Sequence, residues 1–387
     1  INFCKRTGRM RKAGMNMAQV KKQNRSSILN CVNECEPVSR KDIADLIGLT
    51  PAAVTQICSE LIQEGLLEEQ GFETQSVGAG RKKVLLNLNY NCYYVITVNI
   101  ESGNTFLAIA NMKGDCIEQQ TIVTDRRENP ETFLTQIAGI CRQMAENHAD
   151  LLPRIAGVSV AVPGVVDREK GTSVHAYGVW SREVEVCRIL EEQLRYPVWI
   201  ENNVNALAMA ELLYGFGRRY DNLLLIKWGP GVGSAIIIDN QLYEGRHGKA
   251  GELGHFIVER NGELCSCGRR GCLETKVSYQ ALARTIPFVQ EEFGAVYKKA
   301  VEDGQDKVFQ EAIELFARTI VNSMTILAPN RVVLCGSLFR DRAVRDRLIE
   351  ACSGYEPKYN AERILYSTLA DKEKYIGPAA VFVRSVL

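Results

Sequence analysis

GELGHFIVERNGELCSCGRRGCLE, residues 251–274, is the stretch on which the reading of this chain turns. It holds a Cys-x-Cys pair, Cys265 and Cys267, a third thiol at Cys272 and an imidazole upstream at His255. Three thiolates and one imidazole at this spacing suit one Zn²⁺ in a closed, tetrahedral, structural site. The competing reading is ordinary buried cysteines in a cysteine-rich chain. It accounts for the residue types but not for their spacing.

The composition fits a reducing compartment. The 13 cysteines are odd in number and, outside the cluster, scattered singly or as the pair Cys31 and Cys35. That pattern speaks for free thiols in a cytoplasm and against a disulfide framework. With 387 residues, 46% hydrophobic and 24% charged, the chain can carry two or three domains with complete cores. No apolar run approaches the roughly 20 residues of a membrane span, and the basic start lacks the apolar segment of a signal peptide. A formal net charge of only +1 means that any affinity for nucleic acid must come from a local patch.

Such a patch lies at the amino end. Every charged residue from Lys5 to Arg25 is basic, which leaves two readings of residues 1–18, a disordered leader or a DNA-contacting arm. Ser39-Arg40-Lys41-Asp42 then has the form of a helix cap, opening a short helix with Ile43, Leu46 and Ile47 on one face and Gly48 at its end. Thr50 and Pro51 open a second helix, on which Val54, Ile57, Leu61 and Ile62 recur at helical spacing until Gly65. Two short helices joined by a tight turn predict a helix-turn-helix, with the second helix entering the major groove. Its outward residues Thr50, Ala52, Ala53, Thr55, Gln56 and Ser59 are the candidate readers of base edges, Gln56 through a bidentate contact to adenine. Arg40, with Arg81, Lys82 and Lys83 at the tip of a wing ahead of the strand-like Val84–Leu88, completes the candidate DNA contacts. Small helical hairpins also mediate protein contacts; the order of cap, turn, helix and basic wing is what points to DNA.

Beyond Asn89 strands and helices alternate. Tyr93–Ile100 and Phe106–Asn111 read as paired strands, 130–148 as an amphipathic helix, and Ile155–Val162 and Tyr196–Glu201 as further strands. After about Ala206 the plan repeats, with strands at Leu223–Lys227, Ser234–Asp239 and Arg331–Cys335 and a long helix at Asp306–Leu327. This alternation predicts a two-lobed α/β architecture with a cleft between the lobes.

From about Gln19 onward the chain resembles the ROK family of bacterial repressors and sugar kinases. The resemblance is carried by the winged helix-turn-helix and then, in order, by Val162-Pro163-Gly164-Val165, Glu201-Asn202-Asn203-Val204-Asn205, Gly229-Pro230-Gly231-Val232-Gly233, Gly251-Glu252-Leu253-Gly254-His255 and Cys272-Leu273-Glu274. It implies a winged helix-turn-helix over 19–89 followed by an actin/hexokinase-like domain with a structural zinc site. Lobe 1 would cover 90–205, completed by a C-terminal helix at 372–387, and lobe 2 would cover 206–371. It also implies that Asn202, Glu252, His255 and Glu274 bind a sugar, with Asn203 able to hydrogen-bond a hydroxyl. Glu274 has an alternative role, orienting a metal ligand. If one nitrogen of His255 binds Zn²⁺, the other is an N–H that can donate to the sugar or to a carboxylate. His175 and His247 are two further loop candidates for lining the cleft.

The kinase machinery that the resemblance implies is altered in three places. Asn203 stands where the family has its catalytic Asp, and an amide cannot accept the proton of a sugar hydroxyl. Asn99-Ile100-Glu101-Ser102-Gly103 stands for the phosphate loop Asp-Ile-Gly-Gly-Thr, placing the negative Glu101 where phosphates would sit. Pro230 replaces a Thr, removing a hydroxyl and a backbone donor, while Gly336-Ser337 is a milder change of a Gly-Gly. The expected protein is therefore not an enzyme. It is a sugar-responsive regulator, read as a repressor, that binds operator DNA as a homodimer or homotetramer. Two other readings stay open: an active sugar kinase carrying a DNA-binding domain, and a regulator controlled by docking of a transport-system protein.

Overall fold

Apolar residues at helical spacing build the first element. In the computed structural model, which describes residues 17–72, 83–286, 293–355 and 361–387, α1 (Met17–Cys35) turns Ile28, Leu29 and Val32 into the core. After the short β1 (Val38–Ser39), α2 (Arg40–Ile47) begins at a reciprocal cap. The Ser39 hydroxyl accepts the Asp42 N–H at 3.3 Å and donates to the Asp42 carboxylate at 2.6 Å. Gly48 ends the helix in the left-handed region at φ 69°, where a side chain would be strained. Thr50 caps α3 (Pro51–Gln63), which buries Val54, Ile57, Cys58 and Leu61. β2 (Leu67–Phe72) and β3 (Val84–Leu88) pair antiparallel, and β1 joins the far edge of β3.

Three expectations change in this region. The buried strip of α2 is Ile43 and Ala44 with Ile47 half-buried, so it follows i, i+1, i+4 and leaves Leu46 62% exposed on its flank. Met17 and Ala18 belong to α1, not to a leader. Lys21 and Arg25 do not form a free basic arm: on α1 they pair with Glu60 (2.9 Å) and Glu64 (2.7 Å) of α3. Lys22 lies exposed on α1, and the cations from Lys5 to Lys12, together with Arg81 and Lys82, lie outside the described residues.

By their contacts, residues up to Asn89 with Val386–Leu387 form one compact unit and Tyr90–Ser385 another. The second unit contains two sheets of the same plan. The first uses β4 (Tyr94–Ile100), β5 (Asn104–Asn111), β6 (Cys116–Val123), β7 (Ile155–Val162) and β10 (Val198–Asn202), in the order β10-β7-β4-β5-β6. A hairpin of β8 (Val165–Asp167) and β9 (Thr172–His175) follows β7. The second sheet uses β11 (Leu223–Trp228), β12 (Val232–Ile238), β13 (Gln241–Tyr243), β14 (Arg331–Cys335) and β15 (Ile364–Tyr366), in the order β13-β12-β11-β14-β15. Counted from its own first strand, each sheet reads 3-2-1-4-5. The first three strands form an antiparallel meander, and the fourth and fifth run parallel to the first.

Helices cover both sheets, as parallel strands buried on two faces require. α4 (Pro130–Asn147) lays Phe133, Leu134, Ile137 and Cys141 into the core of the first sheet, with α5 (Val186–Leu194) beside it. α6 (Asn203–Tyr214) is apolar nearly all round and correspondingly buried. α7 (Glu274–Val277), α8 (Tyr279–Thr285), α9 (Phe293–Glu302), α10 (Lys307–Leu327) and α11 (Arg342–Tyr355) serve the second sheet. There Trp228 meets Phe316 and Phe339 edge-on, each at 5.1 Å between ring centroids. α12 (Glu373–Val386) returns to the first sheet, Phe382 lying 5.3 Å from Trp199 of β10. No helix among the described residues is long and apolar enough to cross a membrane.

Candidate functional site

Each sheet's first strand ends in a turn that faces a shared cavity of about 170 Å³. At roughly 30 Å³ per liquid water, that is space for one ring-sized molecule. Glu101 and Ser102 of the β4–β5 turn and Pro230 and Gly231 of the β11–β12 turn line one end, and Asn203, Glu252, His255 and Glu274 line the rest.

His255, Cys265, Cys267 and Cys272 converge, their ligand atoms all within 4.8 Å of one another. Cys267 Sγ and Cys272 Sγ lie 3.7 Å apart, and Cys265 Sγ and His255 Nδ1 lie 3.5 Å apart. A tetrahedral ion with bonds of about 2.3 Å to sulfur and 2.0–2.1 Å to nitrogen needs edges of about 3.8 and 3.5 Å. The donor set therefore fits a metal of the Zn²⁺ type. Burial, with Arg269 nearby, pushes the His255 imidazole down to about 4, so it is neutral and keeps a lone pair for a cation. Gly271 makes the knuckle possible: at φ 74°, a Cβ there would lie 1.8 Å from the Glu259 carbonyl oxygen. Backbone bridges between Ile257 and Cys272 and between Leu264 and Arg270 hold the loop's two arms together.

His255 joins this cluster to the cavity. Its Nδ1 faces Cys265, while Nε2 lies 3.6 Å from Glu252. The Tyr177 ring packs edge-on against the imidazole at 5.3 Å and also lines the cavity. Sequence reading had singled out His175 in this segment. The structure puts His175 behind, its ring 4.8 Å from that of Tyr177, because β9 ends at His175 and the cavity wall begins two residues later. His247 falls in the turn Arg246–Gly248, and its side chain lies outside what is described.

The asparagine pair divides its work. Asn202 Oδ1 accepts the N–H groups of Val204 (2.8 Å) and Asn205 (3.0 Å), capping α6, and its Nδ2 donates to the Gly164 carbonyl at 2.7 Å. Asn202 thus chiefly fixes the start of α6, one amide hydrogen remaining for a ligand. Asn203, the first residue of that helix, has an amide without a hydrogen-bond partner among the described residues. Glu274 Oε2 accepts the Val232 N–H at 3.0 Å. Burial raises the carboxyl groups of both Glu252 and Glu274 above the usual range.

At the other end of the cavity, beside Glu101, two residues that the sequence did not single out, Lys227 and Glu373, complete an ion cluster. Lys227, on the otherwise apolar β11, is 7% exposed. Its ammonium contacts the Glu101 carboxylate from the first sheet's turn and lies 3.6 Å from Glu373 at the start of α12. Burial alone would lower the lysine's affinity for its proton, but Glu101 and Glu373 carry it above the ordinary value. Glu101 therefore does not stand as a bare negative charge. The detectable signal was a lysine inside an apolar strand, a position that requires a partner.

In the first unit, Thr50, Ala52, Thr55, Gln56 and Ser59 are exposed on α3 and Ala53 is half-exposed. Thr55 and Ser59 return their hydroxyls to the helix's own carbonyls, and Gln56 Nε2 reaches Glu60 at 3.2 Å. Arg40 pairs with Glu69 and Lys83 with Asp42, both at 2.9 Å. Exposed pairs of this kind are worth about 0–1 kcal/mol, so a phosphate can displace them.

Comparison with known proteins agrees with this architecture. The ROK family pattern matches residues 96–385 and a winged helix-turn-helix DNA-binding pattern matches residues 22–68. The chain is 28% identical to a putative xylose repressor of Caldicellulosiruptor sp. (strain Rt8B.4), over 96% of this chain and 98% of that protein. In structure it resembles a ROK family transcriptional regulator homologous to the Escherichia coli MLC protein, with a TM-score of 0.78, 23% identity and coverage of 95% and 96%. The ROK hexokinase of Thermus thermophilus, with a TM-score of 0.62 and 22% identity over 76% of this chain and 99% of that one, shares the two-sheet fold. The chain belongs to the ROK family and carries a winged helix-turn-helix ahead of its hexokinase-like domain.

Proposed function

We propose that this protein is a sugar-responsive, DNA-binding transcriptional repressor of carbohydrate-utilisation genes, without kinase activity. The observation that carries the reading is the union, in one chain, of a winged helix-turn-helix with a cleft whose phosphate end is closed by its own ion cluster. The repressor name of the relative that spans nearly the whole chain supports it, and xylose is the first sugar to try.

α3 reads base edges through Thr50, Ala52, Ala53, Thr55, Gln56 and Ser59, while Arg40, Arg81, Lys82 and Lys83 hold phosphates. A two-fold operator calls for a homodimer or homotetramer, with a recognition helix in each half-site. In the cleft, Asn203, Glu252, His255 and Glu274 hold the sugar's hydroxyls, carboxylates accepting and amide or imidazole N–H groups donating, with Asn202 fixing the helix that presents Asn203. His255, Cys265, Cys267 and Cys272 hold Zn²⁺, which ties residues 251–274 into one rigid wall of that cleft. Asn203 stands where the kinases of the family carry their base, and an amide cannot take a proton there, so bound sugar is sensed and not phosphorylated. The sugar shifts operator affinity by its different affinities for the DNA-bound and free forms.

The test is operator binding by fluorescence anisotropy, on DNA selected from a random pool. A neutral sugar should change the affinity, and Mg-ATP with that sugar should yield no phosphorylated product. ATP consumption stoichiometric with sugar would overturn the reading.

A further inference from the structure

We infer that the cleft selects an uncharged, unphosphorylated sugar, and that Glu101, Lys227 and Glu373 impose this choice. The inference rests on reading the cleft as a sugar site and goes on to name the class of sugar. Its first support is charge. The acidic and basic side chains lining the cavity, besides His255, are Glu101, Glu252, Glu274 and Lys227. The one ammonium among them already lies between Glu101 and Glu373. A phosphomonoester bearing a charge of about −1.5 to −2 would enter a chamber of carboxylates with no cation left to meet it. Arg269 and Lys249 act on Glu252 from outside the lining.

The second support is independent of charge and concerns backbone donors. Anion sites are commonly built from converging amide N–H groups in glycine-rich turns. Here several of the turn amides are committed elsewhere. Gly229 N–H donates to the Gly231 carbonyl and Val232 N–H to Glu274, while Pro230 has none. Gly336 N–H donates to Glu373 at 3.1 Å and Glu101 N–H to the Asn104 carbonyl at 3.0 Å. The carboxylate of Glu373 thus occupies one of the glycine-turn amides near the buried ammonium. What remains open to a ligand is the Asn203 amide, one Asn202 amide hydrogen, the His255 imidazole, the Gly231 and Ser102 amides, the Tyr177 face and carboxylate acceptors, a set without a free cation that suits neutral hydroxyls.

The experiment uses full-length, zinc-loaded protein and matched pairs: xylose with xylose 5-phosphate, glucose with glucose 6-phosphate, N-acetylglucosamine with its 6-phosphate. Titration calorimetry should find a neutral sugar that binds, with its phosphorylated counterpart weaker by at least about 100-fold, the scale set by an unpaired like charge in a desolvated site. Glu101→Gln, which releases Lys227 from one of its partners, should narrow that ratio at least about tenfold; an unchanged ratio would remove Glu101 from the filter. Should that variant not fold, the wild-type pairs still decide the matter. A phosphorylated sugar that binds as tightly as its neutral partner, or tighter, overturns the selectivity while leaving a sugar-responsive protein. Silence from all six ligands overturns both the selectivity and the sugar reading beneath it.

Discussion

The two ends of the cleft are built by equivalent means and left in opposite states. At one end, around His255, Glu252, Glu274 and Asn203, polar groups face open volume, and the Asn203 amide has no partner among the described residues. At the other, Glu101, Lys227 and Glu373 satisfy one another, and Glu373 also takes the Gly336 amide. On the function proposed above, a hexokinase-like fold has kept its turns while a buried ion cluster takes the place where a second, anionic ligand would need donors. On that reading, retaining a fold and retaining its chemistry are separable. The separation rests on three side chains brought together from β11, the β4–β5 turn and α12.

The largest effect is expected at the open end. Removing the metal with a chelator, or replacing Cys272 with Ser, should collapse the wall 251–274. Apparent binding free energies of structural zinc run to roughly 10 kcal/mol in small domains, so a strong loss of melting temperature together with lost sugar binding is predicted. Elemental analysis showing no zinc in protein that still binds sugar would break the link between cluster and cleft. At the filled end, Lys227→Met leaves two buried carboxylates facing each other and should cost about 3–5 kcal/mol in urea unfolding. Adding Glu101→Gln and Glu373→Gln should recover most of that loss. A triple variant as unstable as the single one would mean that the lysine's packing, and not its charge, holds this end.

How far the sequence discloses this contrast depends on the range of the interaction. The convergence of the cysteine cluster was legible because its four candidate ligands lie within eighteen residues and their spacing reports the geometry. The strands β4, β5, β7, β11 and β14 and the helices α4 and α10 were legible from their periodicity. α1 was not, since its run of cations drew attention away from Ile28, Leu29 and Val32, and Leu46 was assigned to a face that tertiary packing placed one residue round the helix. Lys227, Glu101 and Glu373 lie 126 and 146 positions apart in sequence (227 − 101 and 373 − 227), and nothing local pairs them. Tyr177 was missed for a related reason, because only the end of β9 decides which of two nearby rings faces the cavity.

Smaller effects sharpen the contrast from outside the cleft. Gln56→Ala should weaken operator binding by about 1–3 kcal/mol and relax base preference, as loss of a bidentate contact does. Sugar titrations of the same variant should be unchanged, and a change there would mean that the cleft's two states are not self-contained. Smallest of all is the α2 cap. The Ser39 hydroxyl, and then Lys83, hold the Asp42 carboxyl below its ordinary 3.8. Its contribution is thus present above that value and disappears as pH falls through the lowered one. The group is partly exposed, so screening keeps the effect below about 1 kcal/mol. Asp42→Asn should flatten this acid limb, as followed by circular dichroism between about pH 5 and 2; an unaltered limb would assign the acid sensitivity to other carboxylates.

The most direct test of the account is one titration of full-length, zinc-loaded protein on its selected operator, read by fluorescence anisotropy as neutral sugars are added with and without Mg-ATP. Sequence-specific binding that one neutral sugar alters, with ATP making no difference, is the predicted result. Binding without sequence preference, or a response that requires ATP and yields sugar phosphate, would contradict it.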